Sequence, residues 1–279
     1  MADHTFDPVS MDTETRESEH RASIEHLKVE SGNKRLLGVL FRAQGRGPHP
    51  TAVILHGFPG HDRNLDIAHT LRRGGLNSLV FHYRGTWGSD GKFSFSNMLE
   101  DTRAILKYIR VHCQDLSVDT ERIFLISHSM GGWSAMMSAL EDEDIRCIVN
   151  FAGFNLGALK DWVLENELNM EIARMTLERL SSSVNATQPE QLLKEVLDRG
   201  DEWNLIRHSP ELSRKSILLI WAKNDQLALP PLHFHPMYES LLSAGASDLA
   251  THMIDSDHSF SDGRIELQDT IWNWVKKKL

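Results

Sequence analysis

Ile123-Phe124-Leu125-Ile126-Ser127-His128-Ser129-Met130-Gly131-Gly132 is the stretch on which the reading of this chain turns. A short apolar run of buried-strand type passes straight into a turn with Ser129 at its tip. Residues small enough to begin a helix follow, and the pattern predicts that helix over Gly132–Leu140. A strand–turn–helix of this kind lifts the serine hydroxyl above the sheet edge. It also aims the hydroxyl at a helix N-terminus, whose free N–H groups can stabilise an anion. The turn is crowded, so small residues are needed two positions before and two after the serine. Ser127 and Gly131 fill them. The common pattern is Gly-x-Ser-x-Gly, and Ser127 in place of the first glycine adds a Cβ and a hydroxyl that the packing must accommodate.

On either side of this stretch, strand and helix patterns alternate. Ser23–Glu30 and Arg35–Arg42 read as strands joined by the turn signal Ser31-Gly32-Asn33. Thr51–His56, Leu76–Tyr83, Arg122–Ser127, Ile145–Phe151, Ser216–Ala222 and Ala250–Ile254 follow as strands. Helices are expected at Leu65–Arg73, Asn97–His112, about Leu232–Ala244 and Gly263–Lys277. This alternation predicts a mostly parallel sheet flanked by helices. Asn155–Leu212 breaks it: helical faces such as Leu156/Leu159/Val163 and Leu192/Leu193/Val196/Leu197 recur there without a strand. The expected organisation is therefore an α/β core over 23–154 and 213–279, with a small helical cap inserted at 155–212. Residues 1–22, acidic and without an apolar h-region, are read as a flexible arm rather than a secretory signal.

A serine hydroxyl is a poor nucleophile at neutral pH and needs a base held by an acid. Asp225, in Trp221-Ala222-Lys223-Asn224-Asp225, directly follows a predicted strand. His258, in Asp255-Ser256-Asp257-His258, directly follows the last one. Both therefore belong to strand-end loops on the face that carries Ser129, where ligands bind in open α/β sheets. Asp255 and Asp257 are rival acids, poorly placed to reach behind the ring of their own loop neighbour. The backbone N–H groups of Phe58, in His56-Gly57-Phe58-Pro59-Gly60, and of Met130 are the candidate donors to a developing oxyanion. Trp87, Trp133, Phe154 and Trp162 are candidate pocket residues, and Met170 and Met175 could join them from the insertion.

These residues, in this order, resemble the α/β-hydrolase superfamily across nearly all of Ser23–Leu279. Phe81-x-Tyr83-Arg84-Gly85-x-Trp87-Gly88-Ser89-x-Gly91 is similar to single-domain members near the prolyl-oligopeptidase-type and cinnamoyl-esterase-type hydrolases. The resemblance implies an α/β-hydrolase fold, the roles of Ser129, Asp225 and His258, and the two oxyanion donors. It implies no substrate, because this fold hosts esterases, amidases, peptidases and lyases. Carboxylic ester cleavage through an acyl-enzyme is the favoured reading. Amide or peptide cleavage, as in an exopeptidase, is the alternative, and a non-catalytic binding protein on the same fold is a third. Haloalkane or epoxide chemistry would want a carboxylate where Ser129 stands.

Composition bounds the rest. A 279-residue chain that is 41% hydrophobic and 25% charged can bury a sizeable core. A net charge of −9 gives no support for nucleic-acid binding. No run approaches the roughly 18 apolar residues of a membrane span. Cys113 and Cys147 are too few for a disulfide framework and read as buried free thiols, so a reduced, cytoplasmic protein is expected. No cofactor or metal is implied. The expected partner is a small acyl substrate, with a homodimer as one option for assembly. His233 and His235, two apart on one predicted helix, read as a solvated face rather than a metal pair. His56, His61, His82 and His128 read as packing or local hydrogen-bonding residues.

Overall fold

Strand pairing turns the alternating pattern into one eight-stranded sheet. In chain order the elements of the computed structural model are β1 (Ser23–Ser31), β2 (Lys34–Arg42), β3 (His49–Leu55), α1 (Leu65–Arg73), β4 (Asn77–Phe81), α2 (Phe95–Val111), β5 (Val118–His128) and α3 (Met130–Glu141). There follow β6 (Cys147–Phe151), α4 (Leu156–Glu165), α5 (Glu167–Ser181), α6 (Pro189–Arg199), α7 (Ser209–Leu212), β7 (Ser216–Ala222), α8 (Pro230–His233), α9 (His235–Ser243), β8 (Leu249–Ile254) and α10 (Arg264–Val275). The structure describes residues 6–13 and 19–279. The sheet order is β1-β2-β4-β3-β5-β6-β7-β8. β1 and β2 pair antiparallel, as do β2 and β4, while every pair from β4 onward is parallel. Among the described residues, no helix is long and apolar enough to cross a membrane.

The central strands read as continuous apolar runs because both of their faces are covered. Val53, Leu55 and Leu125 point to one side, against α2, α3 and the helices inserted after β6. Ala52, Ile54, Phe124 and Ile126 point to the other, against α1 and α10. This period of two, applied to strands buried on both sides, splits the core into the two layers that flank the sheet.

Several boundaries differ from the sequence reading for local reasons. The sixth strand starts at Cys147 rather than Ile145, whose N–H is turned back to the Asp142 carbonyl. α2 starts at Phe95, two residues early, because Ser94 caps it by accepting from the Asn97 N–H at 3.1 Å. The single helix expected at Leu232–Ala244 is two, α8 and α9, interrupted at Phe234. His233 and His235 therefore do not share a helical face, and His233 is buried rather than solvated. Both cysteines are free and only partly buried. The arm expected to be flexible meets the core at Pro8 and Val9, which are buried, and Arg73 Nε donates to the Pro8 carbonyl at 2.6 Å; Phe6, Ser10, Asp12 and residues 19–21 are exposed. The remainder of that expectation, residues 1–5 and 14–18, lies outside the described residues.

Between β6 and β7 the chain leaves the sheet for α4, α5, α6 and α7. α6 buries Leu192, Leu193 and Val196, the face its sequence spacing predicts. The linker between α5 and α6 is strapped to the core by backbone bonds. Asn185 N–H donates to the Gly85 carbonyl at 2.7 Å, and Thr187 N–H donates to the Phe93 carbonyl at 2.9 Å. The Glu195 carboxylate accepts from Phe95 N–H at 2.9 Å. The inserted helices are thus tied to the loop that follows β4.

That loop is anchored in turn by a buried ion pair. Asp101 on α2 accepts from Arg84 N–H at 2.8 Å and from Arg84 Nε at 2.6 Å, and its side chain is fully buried. Burial pushes the Asp101 carboxyl up even against these bonds, so the charge is held at a desolvation cost. Removing Asp101 strips the buried Arg84 guanidinium of one carboxylate and leaves it the exposed Glu100 carboxylate at 2.6 Å. Asp101→Ala should therefore lower unfolding stability by about 1–3 kcal/mol, the cost of the lost hydrogen bonds to Arg84 Nε and N–H. Urea unfolding checks this, and a loss below about 1 kcal/mol would mean that the pair carries no such role.

Candidate active site

β5 delivers Ser129 into a turn that few residues tolerate. Its φ is 55° and its ψ −123°, outside the ordinary helical and extended regions for an L-residue. Three backbone bonds hold it there. Ser129 N–H donates to the Phe151 carbonyl at 3.0 Å, and the Ser129 carbonyl accepts from Gly132 N–H at 2.9 Å and Phe154 N–H at 3.1 Å. A Cβ on Gly131 would lie 2.3 Å from the Leu55 carbonyl oxygen, so the helix after the turn can pack on β3 only with glycine there. Ser127 shows how the other small position tolerates a side chain: its hydroxyl is fully buried and donates to the Val149 carbonyl on the next strand at 2.7 Å.

Asp225 and His258 reach Ser129 from the ends of β7 and β8. Asp225 Oδ1 accepts from the N–H groups of Leu227 and Ala228, both at 2.8 Å, and this fixes the carboxylate on its turn. Oδ2 accepts from His258 Nδ1 at 2.7 Å. Because Nδ1 donates to the carboxylate, Nε2 is the acceptor, and it lies 3.0 Å from Ser129 Oγ. Burial would raise the Asp225 carboxyl, but the hydrogen bond and charge of His258 together with the two backbone donors hold it below the usual carboxylate range. The arrangement can pass the Ser129 proton to His258 and stabilise the resulting imidazolium. Asp255 faces Lys223 and Asn224 instead, and Asp257 is occupied by Ser259 N–H and Ser261 of its own loop. Neither lies behind the His258 ring.

His128 packs beside this relay. Its Nε2 lies 3.0 Å from the His258 carbonyl, to which it donates, and its ring stacks on Phe151. Burial pushes His128 down to about 3, so it serves as a neutral donor. His56 is similar: burial pushes it down to about 3, and Nδ1 donates to the Gly57 carbonyl at 2.6 Å.

The two candidate oxyanion donors flank Ser129. Met130 is the first residue of α3, so its N–H has no acceptor within the helix. The loop after β3 approaches from the other side, so closely that a Cβ on Gly57 would lie 2.8 Å from Ser129 Cβ. Phe58 follows Gly57, and both Phe58 and Met130 border the cavity that opens over Ser129 and His258.

This cavity has a volume of about 350 Å³. Its floor is the Ser129 turn, and its roof is built by α4 and α5 with Leu159, Trp162, Ile172, Thr176 and Leu177. No Asp, Glu, Lys or Arg among the described residues lines it. Of the four candidate pocket residues, Phe154 and Trp162 line the cavity, while Trp87 and Trp133 do not. Trp133 is wholly buried beneath α3, edge-on to Trp203, with Nε1 donating to the Trp203 carbonyl at 3.1 Å. Trp87 Nε1 donates to the Pro59 carbonyl at 2.8 Å and so braces the loop that carries Phe58. Met170 packs into the core and Met175 is exposed; neither lines the cavity.

Sequence reasoning missed His233, which lines the cavity with its ring against Phe154 at 4.0 Å between centroids. Its Nδ1 accepts from Asn155 N–H at 3.2 Å, and burial pushes it down to about 3. The signal available is Pro236, inside the expected helix Leu232–Ala244: it has no N–H to continue the ladder and instead occupies the first turn of α9. Among the described residues, no group of three or more His, Cys, Asp or Glu is arranged to hold a metal ion.

A family model described as "Serine aminopeptidase, S33" matches residues 46–194. An uncharacterized 31.7 kDa protein of the traX-finO intergenic region of Escherichia coli is 29% identical over 137 residues, covering 48% of this chain and 46% of that protein. The chain thus spans less than half the length of this curated relative. The Pyrococcus furiosus esterase Pf2001 superposes with a TM-score of 0.65 at 17% identity, over 92% of this chain and 91% of that one. The Pyrococcus horikoshii acylaminoacyl peptidase superposes with a TM-score of 0.67 at 14% identity, over 92% of this chain and 42% of that one. The structural likenesses establish an α/β-hydrolase fold.

Asp225→Asn keeps the size of the acid but removes its charge and can force the wrong imidazole tautomer. It should cut turnover by at least about 10²-fold with the fold intact by circular dichroism. Asp255→Asn and Asp257→Asn should cost far less. The reverse ranking would move the acid to the β8 loop. The same variant checks the pH dependence of stability. A depressed carboxyl contributes stability above its unfolded pKa and loses it as pH falls through the folded one. The acid-side fall in melting temperature below about pH 4 should be shallower in Asp225→Asn than in the parent. Parallel acid limbs would show that Asp225 is not held in its charged form.

Proposed function

Because the chain belongs to the serine aminopeptidase S33 family of α/β hydrolases, we propose that it hydrolyses carboxylic esters through an acyl-enzyme on Ser129. The observation that carries this reading is the relay of Asp225, His258 and Ser129, at 2.7 and 3.0 Å, opening into an apolar cavity that no Asp, Glu, Lys or Arg among the described residues lines.

In the reaction His258 Nε2 takes the Ser129 proton as Oγ attacks the acyl carbonyl, and Asp225 stabilises the imidazolium. The tetrahedral oxyanion lies against the N–H groups of Phe58 and Met130. As the intermediate collapses, the bond to the leaving oxygen breaks, and His258 returns the proton to the departing alcohol. Water then enters, gives a proton to His258 and attacks the acyl carbon. Release of the acid restores the Ser129 hydroxyl.

The family's description and the acylaminoacyl peptidase likeness favour a second reading, amide or peptide cleavage. Against an aminopeptidase stands the cavity wall. A free α-ammonium buried there would meet no carboxylate, and an unpaired buried charge is costly. The absence of charge on the wall favours neutral acyl groups.

A fluorophosphonate probe should form its adduct on Ser129, located by peptide mapping. In parallel, p-nitrophenyl esters of increasing chain length should be cleaved with higher kcat/KM than aminoacyl-anilides. An adduct on another residue would refute the nucleophile, and faster cleavage of an anilide than of every ester would replace the ester reading with the amide one.

A further inference from the structure

We propose that His233 is a specificity residue whose Nε2–H donates a hydrogen bond to an uncharged oxygen of the substrate, a carbonyl, ether or hydroxyl outside the reacting ester carbonyl. The proposal rests on the ester-hydrolase reading above and goes beyond it by naming a feature the preferred substrate carries.

The tautomer follows from simple chemistry. A backbone N–H can only donate, and Asn155 N–H points at His233 Nδ1 from 3.2 Å, so Nδ1 is the acceptor and the ring proton sits on Nε2. The Asn155 backbone is itself fixed. Its side-chain oxygen accepts from Gly157 N–H and Leu205 N–H at 3.1 and 3.2 Å, and its amide donates to Asn204 Oδ1 at 3.1 Å. Asn204 Oδ1 also accepts from Ile206 N–H at 3.1 Å. This network ties the start of α4 to the segment after α6 and presents one oriented backbone donor to His233. Phe154 covers one face of the ring.

No group among the described residues accepts from Nε2, although the side chain is 4% exposed and lines the cavity beside Ser129 and His258. Among the described residues the buried polar side-chain atoms that lack a partner do not include His233 Nε2, so this atom opens on the cavity, where water pairs it until a ligand displaces that water. The acceptor that completes it therefore comes from whatever fills the cavity. Ammonium groups are excluded as partners, since Nε2–H cannot accept. Carboxylates are disfavoured, because no Lys or Arg among the described residues lines the wall and Asp225 lies close enough to act on His233 electrostatically. A neutral oxygen remains. Thr176 and Gln226 are the other polar side chains on the wall outside the relay, and neither has a tautomer and orientation fixed in this way.

The test uses two isosteric pairs of esters. One pair differs by an oxygen for a methylene in the acyl chain, and the other by the same exchange in the alcohol. The parent protein should prefer the oxygen-bearing member of at least one pair by about tenfold in kcat/KM, the scale of one well-made hydrogen bond. His233→Phe keeps a ring against Phe154 but has no donor, and the preference should collapse to within about twofold. His233→Gln can accept from Asn155 N–H through Oε1 and still offer an N–H, so it should retain part of the preference. A merely structural role would lower both members of a pair together and leave the ratio unmoved. Equal rates on both pairs in the parent protein, or a preference that survives in His233→Phe, would overturn the proposal. Fluorophosphonate labelling of Ser129 in the same samples separates the cases. If the parent neither labels at Ser129 nor cleaves any of the four esters, the hydrolase reading itself fails and this proposal falls with it.

Discussion

The backbone at Ser129 is the constraint around which the site is arranged. A residue at φ 55°, ψ −123° costs of order 1–3 kcal/mol and persists only where its surroundings over-determine it. Here they do so from three directions. β6 accepts the Ser129 N–H through Phe151, the start of α3 closes on its carbonyl through Gly132, and Gly131 lies against the Leu55 carbonyl of β3. The same approach brings the loop with Gly57 and Phe58 against the serine. Strand order then does the rest, because β7 and β8 end on this side of the sheet and carry Asp225 and His258. The hydroxyl, its base and its candidate oxyanion donors thus all depend on one unfavourable pair of dihedrals.

Histidine electrostatics sharpen the arrangement. Three histidines near the site, His56, His128 and His233, are each pushed down to about 3 by burial and remain neutral. Each then serves as an oriented hydrogen-bonding group rather than a charge. Among the four, His258 alone faces a carboxylate at hydrogen-bond distance. A single ring in the cluster is therefore equipped to become an imidazolium, so proton transfer is confined to the atom pair where it is useful. His128 contributes by holding the His258 carbonyl while staying uncharged beside it.

Much of this was legible in the sequence because it is local. Strand-to-helix passage at Ile123–Gly132 and the strand-end positions of Asp225 and His258 are short-range patterns, and a parallel sheet converts such positions into spatial neighbours. The helical character of α4, α5 and α6 was also readable from the spacing of their apolar residues. Pocket assignment was legible only in half, at Phe154 and Trp162, because the side of a helix or turn that meets a cavity depends on packing between distant segments. Trp133 lies three residues past the nucleophile's neighbour Met130, yet it turns into the core against Trp203, and Trp87 braces a loop. Leu177 and Thr176 line the roof with no mark in the sequence to separate them from ordinary helix residues. His233 escapes a periodicity reading because the apolar spacing runs on across Phe234, where α8 ends and α9 begins.

The central claim is a covalent acyl-enzyme on Ser129. Rapid acid quench of the protein during turnover of a p-nitrophenyl ester, followed by intact-mass and peptide analysis, tests it directly. The account predicts a mass increase equal to the acyl group, carried by the peptide containing Ser129 and lost in Ser129→Ala together with turnover. Turnover that proceeds undiminished in Ser129→Ala, or an acyl adduct carried by a different residue, would contradict it.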